Sequence, residues 1–250
     1  MPQIRSSRGP GSVAAMADDA SAFERGPSDP RPEPEWVSAV TPDVDAAMRS
    51  EGRSMLRLLH QMRVDLPLAG SVLASTRSID VRAFEPGADD AAWLSVNNRA
   101  FRWHPDQGGW DRARLTARLA EPWVRADGFL VHDGVDGDVD GFCWTREHPA
   151  GPAPDGAEDP AMGEIFVIAA DPSTAGTGLG RALTVAGLNH LTERGLRVGM
   201  LYVEAVNTAA LRLYERLGFV VHHSNAAYTP AHRHDGTDGP ATNPDPETSS

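Results

Sequence analysis

One stretch constrains this chain more than any other: residues 167–181, which read VIAADPSTAGTGLGR. An apolar strand pattern runs through a turn into three glycines, Gly176, Gly178 and Gly180, which open an amphipathic helix. Backbone N–H groups at a helix start attract phosphate oxygens, and glycines let those oxygens approach the backbone closely. The segment therefore predicts a pyrophosphate-binding turn. A flexible turn before a packed helix is the alternative interpretation.

Two familiar phosphate-binding motifs do not fit these glycines. No Lys-Ser or Lys-Thr pair follows Gly180, so the residues that bind the γ-phosphate and the metal ion in a P-loop are absent after this turn. The glycines also come late, after several predicted strands, whereas a dinucleotide fingerprint opens the first βαβ unit. The pattern therefore favours a different class of nucleotide-containing ligand.

Composition limits the cellular compartments and the classes of binding partner to be expected. The chain has 250 residues, a formal net charge of -12 and a single cysteine, Cys143. The acidic balance argues against nucleic acid or an anionic membrane as the main partner. One cysteine excludes an intramolecular disulfide and suits a reducing compartment. No apolar run of about 18 residues and no secretory signal pattern is found, so we expect a cytoplasmic protein, and we expect it to be a monomer.

Four segments are expected along the chain. Residues 1–52 are rich in Pro, Gly, Ser, Asp and Arg and are predicted to be disordered. Residues 53–78 contain a locally apolar stretch, 54–68, that suits one short helix or strand, followed by a linker. Residues 79–230 carry the compact domain, and residues 231–250 form a polar, disordered tail.

Periodicity and capping signals give the elements of that domain. They predict strands at 81–84, 128–132, 139–146, 163–169, 199–205, 219–221 and 226–229, and helices at 89–101, 111–120, 178–194 and from 207 to 218. Asp111 and Asn207 are expected as helix N-caps, and Gly218 as the C′ residue. Residues 149–160 are expected to be a mobile surface loop.

This order of elements, with a glycine turn after the fourth strand and N-x-x-A-x-x-x-Y-x-x-x-G-F after the fifth, resembles the GCN5-related N-acetyltransferases. The second motif is matched by Asn207, Ala210, Tyr214, Gly218 and Phe219. The resemblance implies an α/β (α+β) fold with a mixed, mostly antiparallel sheet flanked by helices. It also implies acetyl-CoA as co-substrate and direct transfer in a ternary complex.

Four further segments are similar to the C-terminal catalytic half of the mycothiol synthases, over residues 81–228. They read NNRAFRWHPDQGGW, GFCWTREH, GEIFVIAADP and LYVEAVNTAALRLYERLGF. That resemblance implies acetylation of the cysteinyl amine of a small molecule, desacetylmycothiol. Mycothiol synthases are tandem repeats, and here only residues 54–68 resemble the end of a first repeat. Either the start of the chain is misassigned or the chain is truncated.

Two residues are the catalytic candidates. Glu164 interrupts a buried strand, where an unpaired carboxylate is costly, so it suits a general base. A structural partner for a basic side chain such as Arg146 is the alternative role. Tyr214 lies on the core side of the last helix, which periodicity explains by packing. The resemblance implies that its phenol protonates the leaving thiolate.

The remaining site residues come from the resemblance. It implies that the acceptor amine is bound by Asp106, Arg146, Glu164 and Tyr202. Asp106 and Arg146 stand where the family often has Glu and Lys, and Ala175 and Thr177 stand where the superfamily often has larger polar or basic residues. Coenzyme contacts are implied at Ile168, Ala169, Ala170, Ala175, Gly176, Thr177, Gly178, Leu179, Gly180, Arg181, Asn207, Thr208, Ala209, Ala210, Leu211 and Arg212.

Three possibilities remain open from the sequence. The chain acetylates desacetylmycothiol, acetylates another amine such as a peptide N-terminus or an amino sugar, or is a non-catalytic CoA-binding module. Cys143 is expected to be a small buried hydrophobe. The histidines lack carboxylate or cysteine neighbours at ligand spacing, so no metal is expected.

Overall fold

The computed structural model describes residues 34–102, 107–154 and 156–230. The strands are β1 Glu35–Val37, β2 Arg53–Asp65, β3 Arg82–Ala83, β4 Phe129–Asp133, β5 Val139–His148, β6 Gly151–Pro152, β7 Glu158–Asp159, β8 Met162–Ala170, β9 Val198–Glu204 and β10 Val220–Pro230. The helices are α1 Pro42–Ser50, α2 Gly70–Ala74, α3 Asp90–Ala100, α4 Arg112–Leu119, α5 Leu179–Glu193 and α6 Thr208–Arg216.

Eight strands form one mixed sheet in the order β1-β10-β2-β9-β8-β5-β4-β3. Neighbours are antiparallel except β8 and β9, which are parallel. β6 and β7 make a separate two-stranded hairpin. The mixed, mostly antiparallel sheet with flanking helices is therefore confirmed.

Each face of the sheet carries its own apolar core. On one face, Leu183 and Leu188 of α5 and Tyr214 of α6 pack with Met62 of β2 and Leu201 of β9. The other face is aromatic, and its cluster joins α3 and α4 to β4, β5 and β8. It includes Trp93, Trp110, Phe129, Phe142 and Trp144. Helices on both faces bury the middle of the sheet, as the near-continuous apolar sequence of β8 predicts.

A β-bulge changes the direction of β8 in the middle of the sheet. Trp144 of β5 pairs with Val167 and the next residue, Thr145, pairs with Ile165, so Phe166 is the extra residue. As a result, Ile165 packs on the α5 face and Val167 on the aromatic face. Residues of β8 beyond the bulge therefore face opposite sides from those that simple alternation assigns.

Local capping signals place the helix ends correctly. Asp111 Oδ1 accepts a hydrogen bond from the Arg114 N–H at 2.8 Å and caps α4. Asn207 Oδ1 accepts from the Ala210 N–H at 3.2 Å and caps α6. After α6, Gly218 has φ of +96°, the left-handed conformation expected at C′. The three predicted caps are confirmed.

The segment before residue 79 differs from the sequence-based expectation. Residues 35–50, within the stretch predicted to be disordered, form β1 and α1. They are tied to β10 by strand pairing and by the Tyr228 hydroxyl, which donates to Asp45 Oδ1 at 2.9 Å. The rest of the predicted tails, 1–33 and 231–250, lies outside the described residues.

β2 is a still larger difference, because it lies inside the sheet. It pairs with β10 on one side and with β9 on the other. Its alternate residues Met62 and Val64 belong to the α5-face core. A compact domain starting at residue 79 would lack this strand, so the predicted boundary is too late.

Two smaller expectations are also corrected. The predicted loop at 149–160 contains the β6–β7 hairpin. The two predicted terminal strands are one strand, β10, whose register with β2 shifts between Val221 and His223. An unpaired residue at a bulge breaks the alternation, and this makes one bent strand look like two in the sequence.

If β2 is part of the core, truncating its buried face is costly. Met62 is 1% exposed, whereas Leu56 on the same strand is 50% exposed. Met62→Ala is expected to lower the free energy of unfolding by about 2–5 kcal/mol, because it leaves a cavity between the sheet and α5. Leu56→Ala, the matched control, should change it by less than about 0.5 kcal/mol. Urea unfolding measures both, and equal small effects would contradict the placement of β2.

Candidate functional site

A wedge between β8 and β9 forms the main pocket. The two strands pair only at Gly163 with Gly199 and at Glu164 with Met200, and then diverge. Beyond that point the edge of β8 that faces β9 has no ladder partner in the described part of the sheet. The wedge has a volume of about 270 Å³. It is lined by Leu59, Phe101, Gln107, Ile165, Phe166, Val167, Ile168, Leu201, Tyr202, Val203, Glu204, Asn207, Ala210 and Tyr214.

The glycine turn follows β8 and leads into α5. Gly176 and Gly178 have φ of +79° and +82°, which side-chain-bearing residues rarely adopt. A Cβ atom built at Gly176, Gly178 or Gly180 would meet nothing within 4 Å. The glycines therefore leave open space over the backbone at the start of a helix.

Only part of the predicted N–H cradle is free to bind a ligand. The Ala175 N–H donates to Pro172 O at 3.2 Å, and the Thr177 N–H donates to Thr174 O at 3.1 Å. Within the described residues, no partner is found for the N–H groups of Gly176 and Gly178. Gly180 and Arg181 lie in the first turn of α5, where N–H groups have no partner inside the helix. Fewer N–H groups of the glycine turn are therefore available to a ligand than the sequence predicted.

Arg181 sits beside this turn, and its guanidinium is already oriented. Its Nε donates to Thr76 Oγ1 at 2.9 Å, and its Nη2 donates to Ser75 Oγ at 3.0 Å. Both hydroxyls belong to the segment after α2 that the sequence indicated only as a linker. The side chain is held at the open end of the helix without a carboxylate neutralising it in these contacts.

Tyr214 lies at the other wall of the wedge. Its side chain is 8% exposed and packs against Phe219 with ring centroids 5.7 Å apart. Burial raises the pKa of its phenol, so the phenol keeps its proton at neutral pH. The structure describes no hydrogen-bond partner for the hydroxyl among the residues it covers. Asn207 also lines the wedge while it caps α6.

Glu164 occupies the point where β8 and β9 part. It is 5% exposed, and its Oε2 accepts a hydrogen bond from the ring nitrogen Nε2 of His148 at 2.7 Å. Arg146, the partner suggested by the sequence, is the directly paired residue on β5. His148 is its diagonal neighbour two residues further along the same strand, close enough for a long side chain to reach.

A second, smaller pocket adjoins the wedge on the face opposite α5. It is lined by Ser38, Gln61, His148, Pro154, Asp159, Met162, Met200, Tyr202, His223 and Asn225. Tyr202 lines both pockets and therefore lies at the boundary between them. The Tyr202 hydroxyl accepts a hydrogen bond from the Gln61 side-chain amide.

Arg146 forms part of an aromatic wall near Glu164. Its guanidinium lies 4.7 Å from the centroid of the Trp123 ring, a cation–π arrangement. Trp123 in turn packs edge-on against Phe166 at 4.8 Å. Asp106, the fourth predicted acceptor residue, lies outside the described residues.

Three other observations complete the survey. Cys143 is fully buried, and burial raises the pKa of its thiol to about 12, so it is unreactive in the folded protein. In the described ranges no cluster of three or more His, Cys, Asp or Glu side chains that could hold a metal ion is found. None of the described helices combines the length and apolar character that crossing a bilayer would need.

The chain belongs to the acetyltransferase (GNAT) family, whose model matches residues 93–219. Solved structures agree on the fold. A GCN5-related N-acetyltransferase from Sphaerobacter thermophilus superposes with a TM-score of 0.59 at 23% identity, over 78% of this chain and 58% of that one. A GNAT-family acetyltransferase from Colwellia psychrerythraea gives a TM-score of 0.52 at 12% identity, over 87% and 72%.

Among curated relatives, the chain is similar to proteins named mycothiol acetyltransferase. It is 47% identical to the protein from Acidimicrobium ferrooxidans, over 76% of this chain and 59% of the relative. It is 43% identical to the protein from Mycobacteroides abscessus, over 77% of this chain and 62% of the relative. The chain therefore spans about three fifths of the length of these relatives.

Sequence reasoning missed three polar residues at the site. Gln61 lies on a strand that was assigned to a remnant, and His148 lies just beyond the strand predicted at 139–146 and was given no role. Asp159 lies in the hairpin that was expected to be a mobile loop. For Gln61 a signal existed, because Met62 and Val64 alternate with Gln61 and Arg63 as a half-buried strand requires.

Proposed function

We propose that the chain is an acetyl-CoA-dependent N-acetyltransferase whose acceptor is the cysteinyl amine of desacetylmycothiol. The observation that carries the proposal is the wedge between β8 and β9, which Tyr214 lines. Glu164 belongs to the last residue pair before the two strands diverge, and the glycine turn follows the end of β8. The name shared by the relatives supports the choice of acceptor.

The residues around the wedge fit a coenzyme. The open glycines and the free N–H groups at the start of α5 suit a pyrophosphate, and the unpaired edge of β8 suits the amides of a pantetheine arm. We assign coenzyme contacts to Ile168, Ala169, Ala170, Ala175, Gly176, Thr177, Gly178, Leu179, Gly180, Arg181, Asn207, Thr208, Ala209, Ala210, Leu211 and Arg212. Ala175 and Thr177 contribute shape and side chain rather than N–H groups.

Acetyl-CoA supplies an acetyl thioester, and transfer requires a neutral amine and a protonated leaving thiol. Glu164 is the base that takes the proton of the amine, directly or through water. Its Oε2 is hydrogen-bonded to His148, and this contact orients the carboxylate. Tyr214 is the acid, because it lines the wedge and its phenol carries a proton that the departing thiolate can take.

The acceptor lies on the side of the second pocket. We assign its binding to Arg146, Glu164 and Tyr202, and we retain Asp106 as a prediction. The second pocket combines amide, imidazole and hydroxyl groups with the apolar side chains of Pro154, Met162 and Met200, and its polar groups can form hydrogen bonds with hydroxyl groups of the acceptor. Monomeric state and cytoplasmic location stay predictions.

The direct test is an incubation of the purified chain with acetyl-CoA and desacetylmycothiol. Mass spectrometry should show the acetylated product together with released CoA. Calorimetry with CoA runs in parallel. Binding without acetylation of this amine, but with acetylation of a peptide N-terminus or an amino sugar, would move the acceptor to another class. Binding without any transfer would indicate a non-catalytic module.

Removing the charge of Glu164 should stop transfer without affecting the coenzyme. Glu164→Gln is expected to lower kcat by about 100-fold or more at neutral pH, within the usual range for a lost general base. Its dissociation constant for acetyl-CoA should change by less than about twofold, because Glu164 is not among the residues that line the wedge assigned to the coenzyme. A variant of full activity would remove Glu164 from the mechanism.

Filling the space over the glycine turn should instead weaken the binding of the coenzyme. Gly180 has an ordinary helical φ and nothing near its missing Cβ, so Gly180→Val should leave the fold intact. The valine would occupy the space assigned to the pyrophosphate, and CoA affinity should fall at least tenfold. Gly70→Val, at another open and exposed glycine, is the control. Equal CoA affinities in calorimetry would contradict the assigned phosphate site.

A further inference from the structure

Glu164 and His148 form a largely buried pair of a carboxylate and an imidazole. Glu164 Oε2 and His148 Nε2 are 2.7 Å apart, and the two side chains are 7% and 16% exposed. A carboxylate oxygen only accepts hydrogen bonds, so a neutral imidazole beside an ionised Glu164 must carry its hydrogen on Nε2. The other ring nitrogen, Nδ1, then has a lone pair. Such a ring can take up a proton at Nδ1 and release one at Nε2.

Of these two residues, His148 is the one that lines the second pocket. Glu164 is not among the lining residues of either pocket. The wall of the second pocket nevertheless includes Met200, which is paired with Glu164 in the last residue pair before β8 and β9 diverge. The pocket therefore extends to the place where Glu164 is buried. His148 contacts the pocket on one side and the carboxylate on the other.

The chemistry of the acceptor requires a route for one proton. An α-amino group has a pKa of about 7.7–8.0, so at neutral pH most of it is ammonium, which has no lone pair for attack on a thioester. A carboxylate outside the lining of the pocket needs a group between itself and that ammonium. The imidazole of His148 lies in the position of such a group.

We propose that His148 is a catalytic residue that carries the proton of the acceptor amine from the second pocket to Glu164. An N–H bond of the ammonium breaks and an N–H bond forms at Nδ1, while the Nε2–H bond breaks and an O–H bond forms at Oε2. The amine keeps the electron pair, the imidazole stays neutral and Glu164 becomes a carboxylic acid. Proton exchange with water restores the starting state. The imidazole replaces water on the route to Glu164, and the inference rests on the proposed function for its acceptor.

Other titratable side chains surround this pair on four strands. They are Arg146 on β5 opposite Glu164, and Asp159 on β7, Tyr202 on β9 and His223 on β10 in the wall of the second pocket. Asp159 accepts two hydrogen bonds from Arg63 of β2. Burial raises the pKa of the Tyr202 hydroxyl. All these groups are the same in the parent and in a His148 variant, so the ratio of their rates reports on His148.

His148→Gln separates proton transfer from orientation of the carboxylate. The side-chain amide can still donate an N–H to Glu164, but it does not take up a proton. At neutral pH kcat should fall about 100-fold, the lower end of the usual contribution of a proton-transfer group. The dissociation constant for acetyl-CoA should change by less than twofold. A kcat within threefold of the parent would leave His148 with orientation alone and would overturn the proposal.

Raising the pH should restore much of the activity of His148→Gln. Above about pH 9, beyond the titration range of an α-amino group, the amine arrives neutral and needs no relay. The ratio of parent to variant kcat should then shrink at least tenfold from its value at neutral pH. A ratio that stays the same at every pH would indicate a purely structural role and would contradict the relay.

His132 offers a matched control. Its Nδ1 is hydrogen-bonded to Asp140 Oδ1, and its side chain is 16% exposed, as is that of His148. It lies on β4 and is not among the residues that line either pocket. The kcat of His132→Gln should stay within twofold of the parent at both pH values. A loss equal to that of His148→Gln would contradict a specific role for His148.

A second readout does not depend on turnover. The chain has nine histidines, and in a sample with ¹⁵N-labelled histidine rings the signals lost in His148→Gln identify those of His148. In mildly alkaline buffer His148 should carry hydrogen on Nε2 and none on Nδ1, and saturation with desacetylmycothiol and CoA should move its Nδ1 resonance. Hydrogen on Nδ1, or an unmoved resonance at saturation, overturns the relay. A parent chain that acetylates no amine contradicts the proposed function instead.

Discussion

The parting of β8 and β9 after only two paired residues is the constraint on which the site depends. Two parallel strands in the middle of a sheet normally stay hydrogen-bonded, because an unpaired buried backbone group is costly. Here the bulge at Phe166 turns β8, and β9 runs on towards α6. Beyond Glu164 the edge of β8 that faces β9 has no ladder partner among the described residues, so its main-chain groups are open to a ligand or to water. A polar main-chain edge is thereby kept inside an otherwise apolar sheet.

β2 allows the sheet to survive that opening. Without it, β9 would face the wedge on one side and would lack a neighbour on the other, with Leu201 and Val203 losing Met62 and Val64 from their core. β2 lies between β9 and β10: its residues 53–63 pair with β10, and its residues 59–65 pair with β9. The same strand brings Gln61 and Arg63 to the second pocket. The stability of the sheet and the lining of the second pocket therefore depend on the same strand.

The parts that could be predicted from the sequence are those with local causes. The caps Asp111, Asn207 and Gly218 and the glycine turn depend on residues within a few positions of each other. β2 was missed as a member of the domain because its partners lie more than 130 residues away and no local signal names them. The tie between Glu164 and His148 was missed for a related reason. Direct cross-strand pairing suggests Arg146, whereas the bond is made diagonally.

The acidic character of the chain fits the form of the phosphate site proposed at the glycine turn. A net charge of -12 repels a polyanion at long range, so affinity has to come from groups that act at contact distance. Main-chain N–H groups attract an anion at contact distance without a cation that would need its own counter-charge. The one guanidinium beside the turn, that of Arg181, is held by the neutral hydroxyls of Ser75 and Thr76. A carboxylate in place of these hydroxyls would neutralise the charge of Arg181. The second pocket differs in this respect, because the largely buried charge of Arg63 beside it is neutralised by two hydrogen bonds to Asp159.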